Sequence, residues 1–454
     1  MSAETKISPA FDPFLSESGR NDKRDAIVIY RAPAPDYPPV SGRLHEPQKR
    51  RQFLNERAAL QRPVEQRILE TYLRASRGQL RIGQRLESSS IGSSALPVAT
   101  VEVTRKTIQL LADLPEVVAI LPNQRIELIE PRQVSYDELS KLEAKNHMTW
   151  GLERLGIPKL WEFTRGERVG VAVLDTGVYG DHPALEGRVK GFVVIDPLGR
   201  RIWAEETFDS GRHGTHICGT IAGSRTNGGI SIGVAPEADL LVAGVLVGDA
   251  TLRTLLEGIA WAVERGADII NMSLGFSYYE PLFAEVFDIL IHQLGVLPVV
   301  AIGNGSHGNS SSPGNAYSAF SAGAVEKMPY PSRRVEVTFF SSGASLVFPD
   351  QEEHPLVVKP DVVAPGAQVF SCIPPEKRPD GTYEYNYMDG TSMAAPHVSG
   401  VAALLMAAKP EAPVTDIITA LKETAEHPKG TYYRPDNRWG YGLIQPFEAL
   451  KALS

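Results

Sequence analysis

The chain has 454 residues, 43% hydrophobic and 22% charged, with a net charge of −8. That length supports one large domain plus one or two small ones, each with ample core. A mildly acidic chain with no long Lys/Arg run argues against a nucleic-acid partner, and only two cysteines, Cys218 and Cys372, exclude a disulfide framework.

In chain order, residues 1–25 are polar with Pro and Ser, and read as a disordered tail without the apolar core of a secretory signal. Residues 26–130 follow as a small α+β domain. It begins with a strand at Ala26–Tyr30 and a Pro-rich segment at Ala32–Val40. Helical spacing from Gln52 to Ser76 puts Leu60, Val64, Ile68 and Leu69 on one face, with Tyr72 further on. A strand at Ala99–Val103, a short helix at Thr107–Leu114 and a strand at Val117–Leu121 complete it. Residues 131–148 read as a linker with a short helix at Tyr136–Ala144.

From 149 to 454 the texture changes. Continuous apolar runs (Val169–Leu174, Leu240–Val247, Ile269–Met272, Val296–Ile302, Val362–Val363) alternate with helical stretches such as Leu255–Arg265 and Met393–Ala408. That pattern predicts an α/β fold, a mostly parallel sheet sandwiched between helices, with active residues just beyond the carboxyl ends of strands. The stretch Ile289–Ile302 is interrupted by His292, Gln293 and Pro298 and is too short to span a bilayer. A cytoplasmic protein with no membrane contact is the expectation, with export by another route left open.

Four segments carry candidate chemistry. Val171–Val178 delivers Asp175 at a strand end, where a carboxylate reads equally as a turn cap or a catalytic group. Gly211–Thr220 places His213 among small residues. His216 follows after three positions, not the four of a zinc-binding HExxH helix, and reads as a buried histidine bonded to backbone. Val299–Ser306 contains Asn304 between glycines, which alone reads as a turn, with an oxyanion-directed amide as the alternative. Met388–Gly400 puts Ser392 where a loop enters an Ala-rich helix, as an N-cap or as a nucleophile with helix amides beside it. Pro396 is expected early in that helix, where a missing N–H does little harm.

Taken together, DTGV, HGTHICGT, NMSLG (Asn271–Gly275), GN (Gly303–Asn304), KPDVVAPG (Lys359–Gly366) and GTSMAAPHVSG closely resemble the subtilisin-like (subtilase) serine peptidases, from about Trp150 to Leu450. The resemblance implies that Asp175 orients His213, His213 acts as general base then acid, Ser392 is the nucleophile, and Asn304 with the Ser392 N–H holds the oxyanion. It implies a substrate laid as a strand against Ser273, Leu274 and Gly275, with a specificity pocket lined by Gly275, Phe276 and Ala301 to Gly303. Phe276 stands where many members have glycine, and an apolar residue before the scissile bond is the expectation. Residues 26–130 resemble, more loosely, an inhibitory prosegment cleaved between Arg125 and His147, so the partners are protein or peptide substrates and the chain's own N-terminal domain.

No cofactor is required for such chemistry. Calcium sites are common in the family, but no compact Asp-rich loop offers an assignable ligand set. Cys218, five residues after His213, reads as a buried filler or as a thiol that sensitises the site, and Ser345–Val358 reads as an insertion. A catalytically silent, protein-binding subunit on the same fold is the alternative function. A lipase or esterase lacks its GxSxG elbow around Ser392.

Overall fold

The computed structural model describes residues 6–19, 21–31, 47–75, 96–134, 137–280, 282–328, 334–348, 356–379 and 381–453. The Pro-rich segment expected at Ala32–Val40 lies outside them, as does much of the insertion.

The chain starts with a 3-10 turn at Pro9–Phe11 and helix α1 (Asp12–Glu17). This corrects the expected disordered tail. Phe11 and Phe14 are buried in the same cluster as Ala26, Val28 and Ile120, and the Ser8 N–H donates to the Ile120 carbonyl at 2.8 Å. Two phenyl rings three residues apart bury enough apolar surface to offset the ordering of a short segment.

The expected strand–helix–strand–helix–strand order then follows as β1 (Arg24–Tyr30), α2 (Pro47–Ala75), β2 (Val98–Val103), α3 (Arg105–Ala112) and β3 (Val117–Pro122). The strands form an antiparallel sheet in the order β2-β1-β3. Helix α2 begins earlier than its periodicity suggested and keeps Pro63 inside it. Among its described side chains, Leu54, Ala58, Val64 and Ile68 are the buried apolar ones, and Leu60 and Leu69 are only half-buried.

Two short strands, β4 (Glu127–Leu128) and β5 (Arg132–Val134), and helix α4 (Asp137–Asn146) lead onward. The expected linker is therefore not a free connection, because β5 pairs with a strand of the large domain.

That domain runs through α5 (Trp150–Arg154), α6 (Ile157–Leu160), β6 (Gly170–Asp175), β7 (Val189–Ile195), β8 (Arg201–Ile202), α7 (His213–Ala222), β9 (Asp239–Gly244), α8 (Leu252–Arg265), β10 (Ile269–Met272), β11 (Leu274–Gly275), α9 (Leu282–Asp288) and β12 (Leu297–Ala301). It continues with β13 (Phe320–Lys327), β14 (Val335–Val337), the hairpin β15 (Ala344–Val347) and β16 (Leu356–Lys359), β17 (Val362–Pro365), the hairpin β18 (Val369–Arg378) and β19 (Gly381–Asp389), then α10 (Thr391–Ala408), α11 (Val414–Glu423) and α12 (Pro446–Ala452).

The main sheet is ordered β8-β7-β9-β6-β10-β12-β13, with β14 and β17 both on β13. Only the pairings of β8 and β14 are antiparallel. Side chains alternate across a strand, so each apolar run feeds two layers. Val171 and Val173 pack with Ile217 of α7 and Val398 of α10, whereas Ala172 and Leu174 pack with Ile259 of α8 and Phe287 of α9. Buried on both faces, the strands need no polar alternation, which is why they read as unbroken apolar runs.

Candidate active site

Asp175 ends β6, the central strand, and is fully buried. Its Oδ1 accepts the Thr176 N–H at 2.8 Å, and both carboxylate oxygens accept from His213 Nδ1, at 2.8 and 2.9 Å. His213 opens α7, and its Nε2 is buried without a hydrogen-bond partner. With Nδ1–H committed to the carboxylate, Nε2 is the ring atom left to take a proton. The glycine after His213 is required by a close approach. A Cβ on Gly214 would stand 2.0 Å from the Gly177 carbonyl, so the DTG and HG glycines let two loops touch.

A second carboxylate braces this pair. Asp209 Oδ2 accepts the Thr215 N–H at 2.8 Å and its hydroxyl at 2.6 Å, and Oδ1 accepts the Thr176 hydroxyl at 2.6 Å. The Thr176 hydroxyl oxygen in turn accepts the Gly214 N–H at 3.0 Å. Sequence reading missed Asp209, which stands four residues before His213 with no motif of its own.

Ser392 is the second residue of α10 and fully buried. Pro396 proves to be well inside that helix, so its missing N–H leaves the Ser392 carbonyl without the usual helical donor. The Ser273 hydroxyl takes that place, donating to the Ser392 carbonyl at 3.2 Å. Ser273 thus carries a buttressing role that the sequence did not reveal. Asn271 stands behind it, donating to the Ser273 hydroxyl and accepting from Ser399.

Asn304 follows β12. Its Oδ1 accepts both the N–H and the hydroxyl of Thr391, at 2.9 and 3.0 Å, and the Thr391 hydroxyl oxygen also accepts the Gly303 N–H at 3.2 Å. Filling the oxygen side of the amide turns Nδ2 into the cleft, where a fixed N–H donor can meet negative charge. Gly390, just before Thr391, keeps this corner open. A Cβ there would lie 3.3 Å from Asn304 Nδ2 and 3.5 Å from Pro131.

The cleft is filled by the chain's own segment. β4 pairs antiparallel with β11, Leu128 opposite Leu274 and Glu127 opposite Gly275. On the other side, the Ile126 N–H donates to the Ala250 carbonyl at 3.2 Å and the Leu252 N–H to the Gln124 carbonyl at 2.7 Å. The Ser392 hydroxyl donates to the Ile129 carbonyl at 3.1 Å, and Asn304 Nδ2 donates to the next carbonyl, that of Glu130, at 3.1 Å. The Ser392 hydroxyl and the Asn304 amide therefore hold two successive peptide units.

Ile129 packs in the apolar layer that contains Ala301, which fits an apolar residue at that position. Phe276 lies in the other layer with Ile126, and its ring stacks on Tyr278 at 4.5 Å and tilts against Phe283 at 5.9 Å. Its ring thus groups with the residue three before Ile129. Gly303 has φ of 112° at the turn into Asn304.

His216 Nε2 donates to the carbonyls of Val369 and Asn386, both at 3.2 Å, and burial pushes the ring down to about 3, so it stays neutral. Burial raises both thiols, Cys372 to about 12, which leaves Cys218 and Cys372 as inert fillers. Lys359 and Asp361 of the KPD motif form a buried ion pair at 2.7 Å beside Ser321.

Comparison with known proteins agrees with this geometry. The family model described as "Subtilase family" matches residues 166–442. Fervidolysin of Fervidobacterium pennivorans is 34% identical over 339 residues, covering 68% of this chain and 44% of its own length. Bacillopeptidase F of Bacillus subtilis is 28% identical over 387 residues, covering 78% of this chain and 26% of its own. This chain thus spans less than half the length of either relative. The major intracellular serine protease of Bacillus subtilis is 35% identical over 283 residues, covering 61% of this chain and 80% of its own. The crystal structure of fervidolysin, described as a keratinolytic enzyme related to subtilisin, superimposes with a TM-score of 0.68 at 26% identity, covering 96% of this chain and 62% of that one.

Proposed function

We propose, because the chain belongs to the subtilase family, that it is a serine endopeptidase made as a self-inhibited precursor. Ser392 forms the acyl-enzyme, His213 moves the proton and Asp175 holds the imidazole. A serine hydroxyl attacks an amide only when a base takes its proton. His213 Nε2 suits that task, since the Asp175 contact fixes the tautomer and stabilises the imidazolium that forms. The oxygen of the tetrahedral intermediate would be met by Asn304 Nδ2 and the Ser392 N–H, at the positive end of α10. His213 then delivers the proton to the departing amine, and water repeats the sequence to release the acyl group.

The observation that carries this reading is the chain's own strand lying in the cleft with the Ile129 carbonyl on the Ser392 hydroxyl. Here the hydroxyl is engaged by that carbonyl, and His213 Nε2 has no partner, which suits an inhibited state. The reading is tested by N-terminal sequencing and fluorophosphonate labelling of wild type beside Ser392→Ala. Wild type should shorten and label at Ser392, and Ser392→Ala should do neither. Processed wild type that fails to label would instead identify a catalytically silent subunit.

A further inference from the structure

The described part of the insertion Ser345–Val358 forms the arms of the hairpin β15–β16, which the peptidase reading does not use. The first arm grows out of the turn that carries Asn304. The Ser342 N–H donates to the Gly303 carbonyl at 2.9 Å, the Gly305 N–H to the Ser342 hydroxyl at 2.9 Å, and the Gly308 N–H to the Gly343 carbonyl at 2.8 Å. The returning arm ends on Lys359, whose buried ammonium donates to the Ala319 carbonyl at 2.5 Å and to Asp361 at 2.7 Å. Both feet of the hairpin are therefore fixed.

Phe348 follows the first arm and is buried, whereas the paired residues Val347 and Leu356 beside it are exposed. Its ring meets Tyr279 at 5.1 Å and Tyr317 at 5.8 Å, both in the edge-to-face arrangement that aromatic pairs favour. Tyr279 lies in the loop 276–280, which follows β11, the strand on which the crossing segment lies. Backbone bonds fix the two ends of that loop to Ser312. Phe276 and Ser312 exchange N–H donors at 3.0 and 2.9 Å, and the Glu280 N–H donates to the Ser312 hydroxyl at 2.8 Å. The middle is held by two neighbouring rings with different partners, Tyr278 on Phe276 and Tyr279 on Phe348. The Tyr278 hydroxyl also donates to Gln124 of the crossing segment. That bond leaves when the segment leaves, and the Phe348 contact stays.

We propose that Phe348 is a positioning residue for substrate selectivity. Through Tyr279 and Tyr317 it fixes the loop that carries Phe276, and so the wall that meets the substrate side chain three residues before the one presented to Ser392. Ile126 takes that place in the unprocessed chain, in one apolar layer with Phe276. A wall fixed before binding leaves little ordering cost for the substrate to offset, so it rewards a large apolar side chain more than a mobile wall does. The other wall, at Ala301–Gly303 beside Ile129, is tied to the hairpin through the Ser342 backbone and not through Phe348. The substrate class is an extended polypeptide with a large apolar residue at the Ile126 place. This rests on the peptidase reading, and it adds that the insertion tunes one substrate position and not the other.

The test compares self-processed wild type with Phe348→Ala, each normalised by fluorophosphonate titration, on peptide anilides whose acyl part is the Ile126–Ile129 sequence. Replacing the first Ile of the peptide by Ala should lower kcat/KM about tenfold in wild type, mostly through KM, but no more than about twofold in Phe348→Ala. Replacing the last Ile by Ala should cost both enzymes the same factor. Phe348→Tyr, which keeps the ring, should restore the wild-type ratio, and Phe348→Leu carries the test where Phe348→Ala does not mature. An unchanged ratio at the first position, or ratios that fall alike at both positions, overturns the proposal while hydrolysis of the anilide still upholds the peptidase. Failure of wild type to cut any anilide, with no label on Ser392, overturns both.

Discussion

The Thr391 hydroxyl and N–H both donate to Asn304 Oδ1, so the residue next to Ser392 decides which way the Asn304 amide faces. Removing the amide donor through Asn304→Ala should lower kcat by roughly 10²–10³ with KM little changed, the range established for that donor in subtilisin itself. Thr391→Val, which loses the hydroxyl but keeps the N–H, should give a smaller loss in the same steady-state assay.

Asp209 acts through others. Its carboxylate fixes Thr176 and Thr215, which flank Asp175 and the start of α7. Asp209→Asn should reduce kcat by about tenfold or more while leaving KM near wild type, since the geometry needed in the transition state is tight. Unchanged kcat would leave Asp209 as a loop brace only.

Glu143 of α4 is buried, and its carboxylate accepts the Trp150 N–H at 2.8 Å and the Tyr387 hydroxyl at 2.5 Å. Burial pushes it up to about 7, against those two bonds and the Lys327 charge, with Glu153 adding a small upward push. A carboxyl raised on docking contributes stability that is full below its ordinary value of about 4.3 and is lost as pH rises through about 7. Unprocessed Ser392→Ala should therefore melt at lower temperature at pH 8 than at pH 5, by an amount worth at most about 3 kcal/mol. Adding Glu143→Gln should flatten that difference.

Pro131 separates the two held carbonyls from β5. It has no N–H and a fixed φ, so it stiffens the strand where Ser392 and Asn304 grip successive units. Pro131→Ala should let the strand slide until one carbonyl meets both groups, and self-cleavage should run several-fold faster in a mass-spectrometric time course. A rate equal to wild type would remove Pro131 as the restraint.

Phe11 is the simplest test of the ordered N-terminus. Phe11→Ala should cost the N-terminal unit about 3–5 kcal/mol, as for other buried phenylalanines, and lower the melting temperature of unprocessed protein. A disordered tail would show no change.

The alternation of apolar runs with helices was enough to read the layered sheet, because strands buried on both faces leave no polar residues to confuse the pattern. The site was legible through motifs in which small residues must surround the reacting groups, as at Gly214 beside Gly177. Asp209 and Glu143 were not legible. Their importance comes from carboxylates meeting partners far along the chain, Thr176 and Tyr387, and no local spacing records that. Phe11 and Phe14 were hidden for a related reason, since their polar neighbours outweigh two rings until a sheet is there to receive them.

The two ladders that hold the crossing segment are independent, one on β11 and the other on β19. A single cut between them would leave two loose ends, each still fastened by its own hydrogen bonds. Loss of the intact precursor and the rise of activity would then be separate events, with a lag set by whichever end lets go last.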